Sequence, residues 1–305
     1  MTDQAVTRVP HSRFYAVRRR LEEMAVAPGW RGALFEFAVF VFKQGWACLF
    51  GALMLGALLI TGFWWPASMP VSRYDALTAW AILVQGGMLA FRLETLREAL
   101  VIFLFHAVGT VMELFKTSAG SWLYPGHAVL HIAGVPLFSG FMYASVGSYI
   151  ARVWRGFDFR FTAYPPNWTT IALAAAIYVN FFSHHWLPDV RWGLFAVTAA
   201  LFWRTRVWFR PLATHRSMSL LLGFLLVAVF IWLAENIGTF AHAWAYPNQL
   251  NGWHLVSPAK LGSWYLLMII SFVLVSTVAR VRKPEQVSKA GKAAAPLPKP
   301  VHQGL

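Results

Sequence analysis

Hydrophobic positions in this chain come in long unbroken runs, not in the alternation expected of half-buried strands. The runs fall at 44–65, 74–91, 99–115, 135–154, 168–186, 190–203, 218–235 and 262–280, divided by short breaks rich in Arg, Lys, Pro and Gly. A helix needs roughly 20 apolar residues to cross a bilayer core of about 30 Å. The pattern therefore predicts an all-α polytopic membrane helical bundle of about eight transmembrane helices. The fifth and sixth runs are the weakest, with strictly apolar cores only at 171–182 and 192–203. A short re-entrant hairpin there would leave six full spans.

Two stretches of the chain carry the same pattern without a gap. Counting from Glu113 and from Glu235, both show Thr at +4, Ala at +6, Trp at +9, Tyr at +11, Pro at +12 and +23, Gly at +27 and Tyr at +30. Nine identities in 31 positions mark an internal repeat, and a repeat constrains the architecture before any single residue is interpreted. Four helices separate equivalent points, an even number, so both copies should run the same way through the membrane, as parallel repeats. The expected organisation is a basic N-terminal segment at 1–43, a membrane domain at 44–281 with repeats at 44–154 and 168–281, and a disordered basic tail at 282–305. The long outer loops, 116–135 and 236–261, should face each other as folded caps.

Charge sets the orientation. Of 26 Lys and Arg residues, only Arg73, Lys116, Arg191 and Lys260 fall on the outer side if the N-terminus is cytoplasmic. The rest gather at 8–43, 92 and 97, 152–160, 204–216 and 280–299, which is a strong positive-inside signal. Both termini are thus expected in the cytoplasm. The formal net charge of +14 reads as topology and attraction to anionic lipid, with membrane lipid as a partner and no nucleic acid. Residues around 18–24 suit an amphipathic turn at the inner surface, and no short apolar signal-peptide core is visible at the start. Cys48 stands alone, which leaves no Cys-built metal or redox motif.

Candidate chemistry lies towards the outer side. A carboxylate at the end of an apolar run is costly and needs a reason. Glu113 lies about 22 Å along its helix from Glu98, in the outer third of the core. His106, Thr110, Glu113 and Thr117 share one helical face, so His106 could deepen a site built on Glu113 and Glu235 as acid/base groups. Trp122, Tyr124, Trp244 and Tyr246 are read as its aromatic rim, unless they are interfacial anchors. Asn180, His184 and His185 close the fifth run and line the same pocket. Six outer histidines (His127, His131, His184, His185, His242 and His254) invite a metal, but their spacing fits no ligand motif, so no metal and no cofactor are expected. Lys116, three residues after Glu113, is placed to neutralise it; the second copy has Gly238 there.

The segments at 113–125, 134–149, 180–185 and 234–249 resemble a bacterial integral membrane family, the YoaT-like proteins (domain of unknown function 817). The carrying strings are G-V-P-L-F-S-G-F-M-Y-A-S-V-G-S-Y, N-F-F-S-H-H and A-E-N-I-G-T-F. The resemblance spans roughly 40–282 and implies a multi-pass protein of the bacterial plasma (inner) membrane. It implies no activity. A weaker likeness is to membrane carotenoid cyclases and hydratases, but their paired acidic signature is replaced here by Phe138-Ser139. Three functions follow from the residues: an intramembrane enzyme on a lipid or isoprenoid, a proton- or cation-coupled transporter, and a non-catalytic scaffold. A hydrophobic small molecule would be the ligand of the first. The first predicts an enclosed apolar pocket, the second a polar path, the third glutamates satisfied by local groups.

Overall fold

The computed structural model describes residues 29–279 and residue 281, apart from residues 67 and 213. The basic segment before residue 29, including the turn at 18–24, and the tail from 282 lie outside the described residues.

Nine α-helices make up most of what is described: α1 Trp30–Ala47, α2 Leu49–Trp64, α3 Arg73–Ala90, α4 Leu96–Ser118, α5 Phe138–Gly156, α6 Asn167–Ser183, α7 Arg191–Phe202, α8 Leu220–Phe240 and α9 Ala259–Ala279. Helix starts follow local chemistry. The Ser72 side chain accepts from the Asp75 amide at α3, and Thr95 with Glu98 forms a capping box at α4, satisfying amides that the first turn leaves without partners. Among the described residues, three helices are long and apolar enough to cross a membrane: 98–118, 220–240 and 259–279. Large apolar side chains on α2, α4, α6 and α8 face outward, among them Ile60, Phe103, Val179 and Phe230. An apolar surface of that extent suits lipid and not water.

One feature departs from the sequence reading. The first run, expected as one span at 44–65, is two helices that bend by 65° on either side of Cys48, and α1 reaches back to Trp30, into the segment read as polar. The α1 face bearing Glu36, Lys43 and Phe40 packs on the protein: Glu36 pairs with Arg216, Lys43 donates to the Gly156 carbonyl, and Phe40 meets Phe157 and Phe209. Its polar residues are thus tethers, which is why they do not break the helix. The weak sixth run is α7, which has only 12 residues, about 18 Å, so by itself it does not cross a ~30 Å core, in keeping with its short apolar core.

A small antiparallel sheet closes one end of the bundle: β3 Arg160–Thr162, β4 Arg206–Phe209 and β5 Arg216–Ser219, with Phe161 opposite Val207 and Val207 opposite Met218. At the other end a hairpin pairs β1 His131–Ile132 with β2 Val135–Pro136 through Ala133 and Gly134, both at positive φ, as a two-residue type I′ turn requires. The main core lies among α4–α9 and includes Phe105, Trp154, Phe161, Phe202, Phe224, Ile269 and Phe272. The tightest seam joins α4 to α5. There a Cβ on Gly109 would meet the Tyr143 ring at 2.5 Å, one on Gly140 would meet His106 Nδ1 and Thr110 Oγ1 at 2.5 Å, and one on Gly147 would meet Phe105 at 2.8 Å. Small residues let two helix backbones approach where burial of apolar surface gives no drive.

Candidate functional site

Both copies of the repeat end their helix in the same way. Gly120 and His242, each seven residues after its glutamate, have φ of 68° and 54°. The Ser121 amide donates to the Lys116 carbonyl at 2.9 Å and the Gly120 amide to Thr117 at 3.1 Å; Ala243 and His242 repeat these bonds to Gly238 and Thr239, both at 3.0 Å. This is the Schellman termination, with a left-handed residue at its turn. It puts each carboxylate one turn below the helix end and folds the following aromatic loop back over it.

Glu113 is buried and its carboxylate accepts three hydrogen bonds. The Trp122 indole donates to Oε2 at 2.7 Å, the Tyr124 hydroxyl to the same oxygen at 2.5 Å, and the Tyr143 hydroxyl to Oε1 at 2.8 Å. Glu235, also buried, accepts from the Tyr246 hydroxyl and the Trp264 indole. The Tyr at +11 therefore serves its own glutamate in both copies. Burial, reinforced by the neighbouring carboxylate, holds the Tyr124 phenol well above the usual range and raises Tyr246 likewise. Both phenols stay protonated, as donors.

The copies differ at the Trp. Trp122 donates to Glu113, whereas Trp244 lies over Gly238, where a Cβ would stand 2.1 Å from the indole. Position +3 explains the difference. Lys116 occupies it in the first copy and leaves no room for an indole; Gly238 leaves it open in the second. Trp264 from α9 then fills the donor place beside Glu235. Tyr143 and Trp264 are donors to the two glutamates that the sequence reading did not select. The repeated Tyr at +30 pointed to the first, but nothing pointed to the second, because Tyr265 at +30 packs on Phe195 and Phe224 instead.

The two loops meet. Leu123 and Ala245, each ten residues after its glutamate, exchange both backbone hydrogen bonds, at 3.0 and 2.9 Å, in an antiparallel bridge. The pair thus joins equivalent positions of the two 31-residue stretches. Around it the Trp122 ring meets Tyr246 edge-on at 6.1 Å and Tyr143 meets Trp264 at 6.5 Å, so residues bound to one glutamate touch residues bound to the other. On the outer flank Arg73 donates to the Leu58, Ala241 and His242 carbonyls and to Thr61 Oγ1, tying α2 to the end of α8.

The other expected site residues fall elsewhere. His106 packs on Gly140 and meets the Phe141 ring at 4.3 Å in a tilted arrangement, with no bond to Glu113. Asn180 spans the α6–α7 turn, donating to Asp189 Oδ1 and accepting from the Val190 amide. His184 and His185 meet Lys116 Nζ through their Nε2 atoms at 3.3 and 2.9 Å. Lys116 therefore turns to the histidines and not, as expected, to Glu113. His131 spends Nδ1 on the Gly134 amide, and among the described residues no group of three or more His, Cys, Asp or Glu side chains converges on a metal position. Two clefts open on the surface. One, of about 470 Å³, runs along Phe195, Leu221, Leu225, Gly262 and Tyr265; the other, of about 420 Å³, lies between Trp65, Arg73, Pro125, His127 and His242. Neither is lined by Glu113, Glu235 or His106.

Among the described residues the chain is mostly helical, with three helices long and apolar enough to cross a membrane. The chain belongs to the family described as "Protein of unknown function (DUF817)", whose family model matches residues 36–272. It is 43% identical over 251 residues to the uncharacterised protein YoaT of Bacillus subtilis (strain 168), which covers 82% of this chain and 94% of YoaT. No solved structure matches it.

Proposed function

We propose that this protein is a non-catalytic multi-pass scaffold of the bacterial inner membrane, built from two parallel four-helix repeats that latch together through Glu113 and Glu235. The observation that carries the reading is that every oxygen of both carboxylates accepts from a donor in its own loop, in α5 or in α9. A general acid or base must offer an oxygen to a reacting group within hydrogen-bond reach. Here each oxygen is already engaged and each glutamate is buried. The Leu123–Ala245 bridge supports the parallel arrangement, because it places equivalent loops side by side at one end. The excess of basic residues at the other end supports an inward sheet and cytoplasmic termini.

Untargeted lipid and metabolite profiling of a deletion strain tests this. A copy carrying Glu113→Gln with Glu235→Gln should restore the wild-type profile, since Gln can still accept from most of the same donors. A profile matching the deletion, with the protein present at normal level in the membrane, supports the enzyme or transporter instead. Reporter fusions after Gly126 and Gly252 should read the periplasm, and those after Asp158 and Thr205 the cytoplasm.

A further inference from the structure

We propose that the cleft between α7, α8 and α9 holds one acyl chain of a membrane phospholipid, whose ester carbonyl accepts a hydrogen bond from the Tyr265 hydroxyl. The cleft has a volume of about 470 Å³, and Tyr265 is the one lining side chain with a polar atom. An apolar wall with a single placed polar group suits a small amphipathic ligand. Its shape follows from the chain path. Leu221 stands at the start of α8, which leaves the sheet, and Leu261 at the start of α9, which leaves the second repeat loop. Both line the cleft, so it draws on opposite ends of an antiparallel helix pair and runs along the helices. Both helices are long and apolar enough to cross a membrane. A hydrocarbon chain lying along the membrane normal has this direction.

The repeat shows why the cleft exists. In the first copy the α4–α5 seam is closed: a Cβ on Gly140 would strike His106 and Thr110 at 2.5 Å. The second copy has Ala228 and Trp232 at the positions of His106 and Thr110. Ala228 is too short to close the seam, and the Trp232 indole is engaged elsewhere, donating to the Val256 carbonyl at 3.2 Å. A Cβ on Gly262, the counterpart of Gly140, would meet only the edge of the Phe195 ring, at 3.0 Å. The tyrosines differ in the same way. Tyr143 donates to Glu113, but Trp264 takes that place at Glu235. Tyr265 is thereby released, and among the described residues its hydroxyl has no hydrogen-bond partner. It is not among the enclosed polar atoms that lack one, so it is open to the cleft.

An unpartnered hydroxyl in a hydrocarbon setting is costly, and an acceptor removes that cost. Tyr265 lies about 9 Å along α9 from Ala259. A helical side chain leans towards the N-terminus of its helix, which brings the hydroxyl towards the headgroup level, where lipid ester carbonyls lie. No charged side chain lines the cleft. The segments outside the described residues, 1–28 and 282–305, are rich in Arg, Lys and Pro and do not complement such a wall. Leu222 and Leu225 are exposed beside it and continue the lipid-facing exterior, so a chain enters from the bilayer. The inference rests on the membrane placement of α8 and α9 and is independent of the glutamate latch.

The test uses the full chain, purified in detergent with graded amounts of diacyl phosphatidylethanolamine or its dialkyl ether analogue, which lacks the carbonyls. Native mass spectrometry counts bound lipid. The wild type should keep one diacyl lipid after the rest are stripped, with an affinity about two- to tenfold above the ether lipid, the range of one neutral hydrogen bond. Tyr265→Phe should bind the two lipids equally, at the ether level. Leu225→Trp should fill the cleft and lose the retained lipid, whereas Phe103→Trp, at the equivalent exposed position of α4, should keep it. If Leu225→Trp is not monodisperse, Leu222→Trp decides. Glu113→Gln with Glu235→Gln should retain the lipid, so a negative result here leaves the latch standing. Four outcomes overturn the proposal: no retained phospholipid, equal retention by wild type and the cleft-filling variant, no preference for ester over ether in the wild type, or a dimer that Leu225→Trp dissociates.

Discussion

Replacing Glu113 separates a structural acceptor from a catalytic group. In Glu113→Ala three buried donors lose their acceptor: the Trp122 indole and the Tyr124 and Tyr143 hydroxyls. A buried donor left unsatisfied costs about 1–3 kcal/mol. The hydroxyls can turn to other acceptors, but the indole N–H is fixed by its ring, so the total should be about 3–5 kcal/mol. Glu113→Gln keeps a carbonyl for the two donors now on Oε2, and Tyr143 can rotate to accept from the new amide. Only charge assistance is lost, about 1–2 kcal/mol. The informative variant removes both sides: Glu113→Leu with Trp122→Phe, Tyr124→Phe and Tyr143→Phe. Replacing donor and acceptor together by apolar groups can be nearly neutral, so this variant should be more stable than Glu113→Ala although it carries three further substitutions. Thermal unfolding of purified protein, followed by monodispersity on size-exclusion chromatography, gives the order. If the fourfold variant is no better than Glu113→Ala, the carboxylate is not held for its donors and the latch reasoning is refuted.

Three further outcomes follow from the site. Gly238→Ala should destabilise by about 1–3 kcal/mol through overpacking, because its Cβ would lie 2.1 Å from the Trp244 indole; Gly120→Ala, with nothing within 4 Å but a φ of 68°, should cost about 1 kcal/mol, and denaturation midpoints compare them. The His185 imidazole is held below its ordinary pKa by burial and then by Lys116, His184 and Lys260; the unfolded chain therefore takes up a proton near pH ~6.5 while the fold resists it, so stability should fall as pH drops below about 7, and a melting temperature series from pH 8 to 5 should be flatter for His185→Gln. His242→Gly should raise the melting temperature slightly by relieving its left-handed φ of 54°, and a fall instead would assign the imidazole a packing role in the cleft it lines.

Part of this architecture was legible because helices that face lipid must be apolar along their length: each of the eight runs has a helical counterpart, although among the described residues three helices are long and apolar enough to cross a membrane by themselves. The repeat was legible through its aromatic and Pro positions, which turned out to be the loop folded over each glutamate. What was hidden depends on neighbours distant in sequence. The extent of α1 was masked by Glu36 and Lys43, whose partners Arg216 and Gly156 lie far along the chain. The sheet strands are too short to show a period. Trp264 could not be assigned to Glu235 from spacing, because its place is vacated by Trp244 moving onto Gly238. His106 shares a helical face with Glu113, but the face alone does not reveal that Gly140 draws the imidazole into the α4–α5 seam. Lys116 was expected to neutralise Glu113 from three residues away, yet the aromatic donors leave that carboxylate no need of it.

Two equivalent loops meet at one end of the molecule through Leu123 and Ala245. Leu123 and Ala245 form a hydrogen-bonded antiparallel pair, for which Cα atoms are about 5.5 Å apart, within the span of a disulfide. In a Cys48→Ser background, Leu123→Cys with Ala245→Cys should oxidise to an intramolecular disulfide in membranes, read as one faster-migrating monomer band that reverts on reduction. Reduced protein that fails to cross-link under oxidant, or that yields only dimers, would contradict the account.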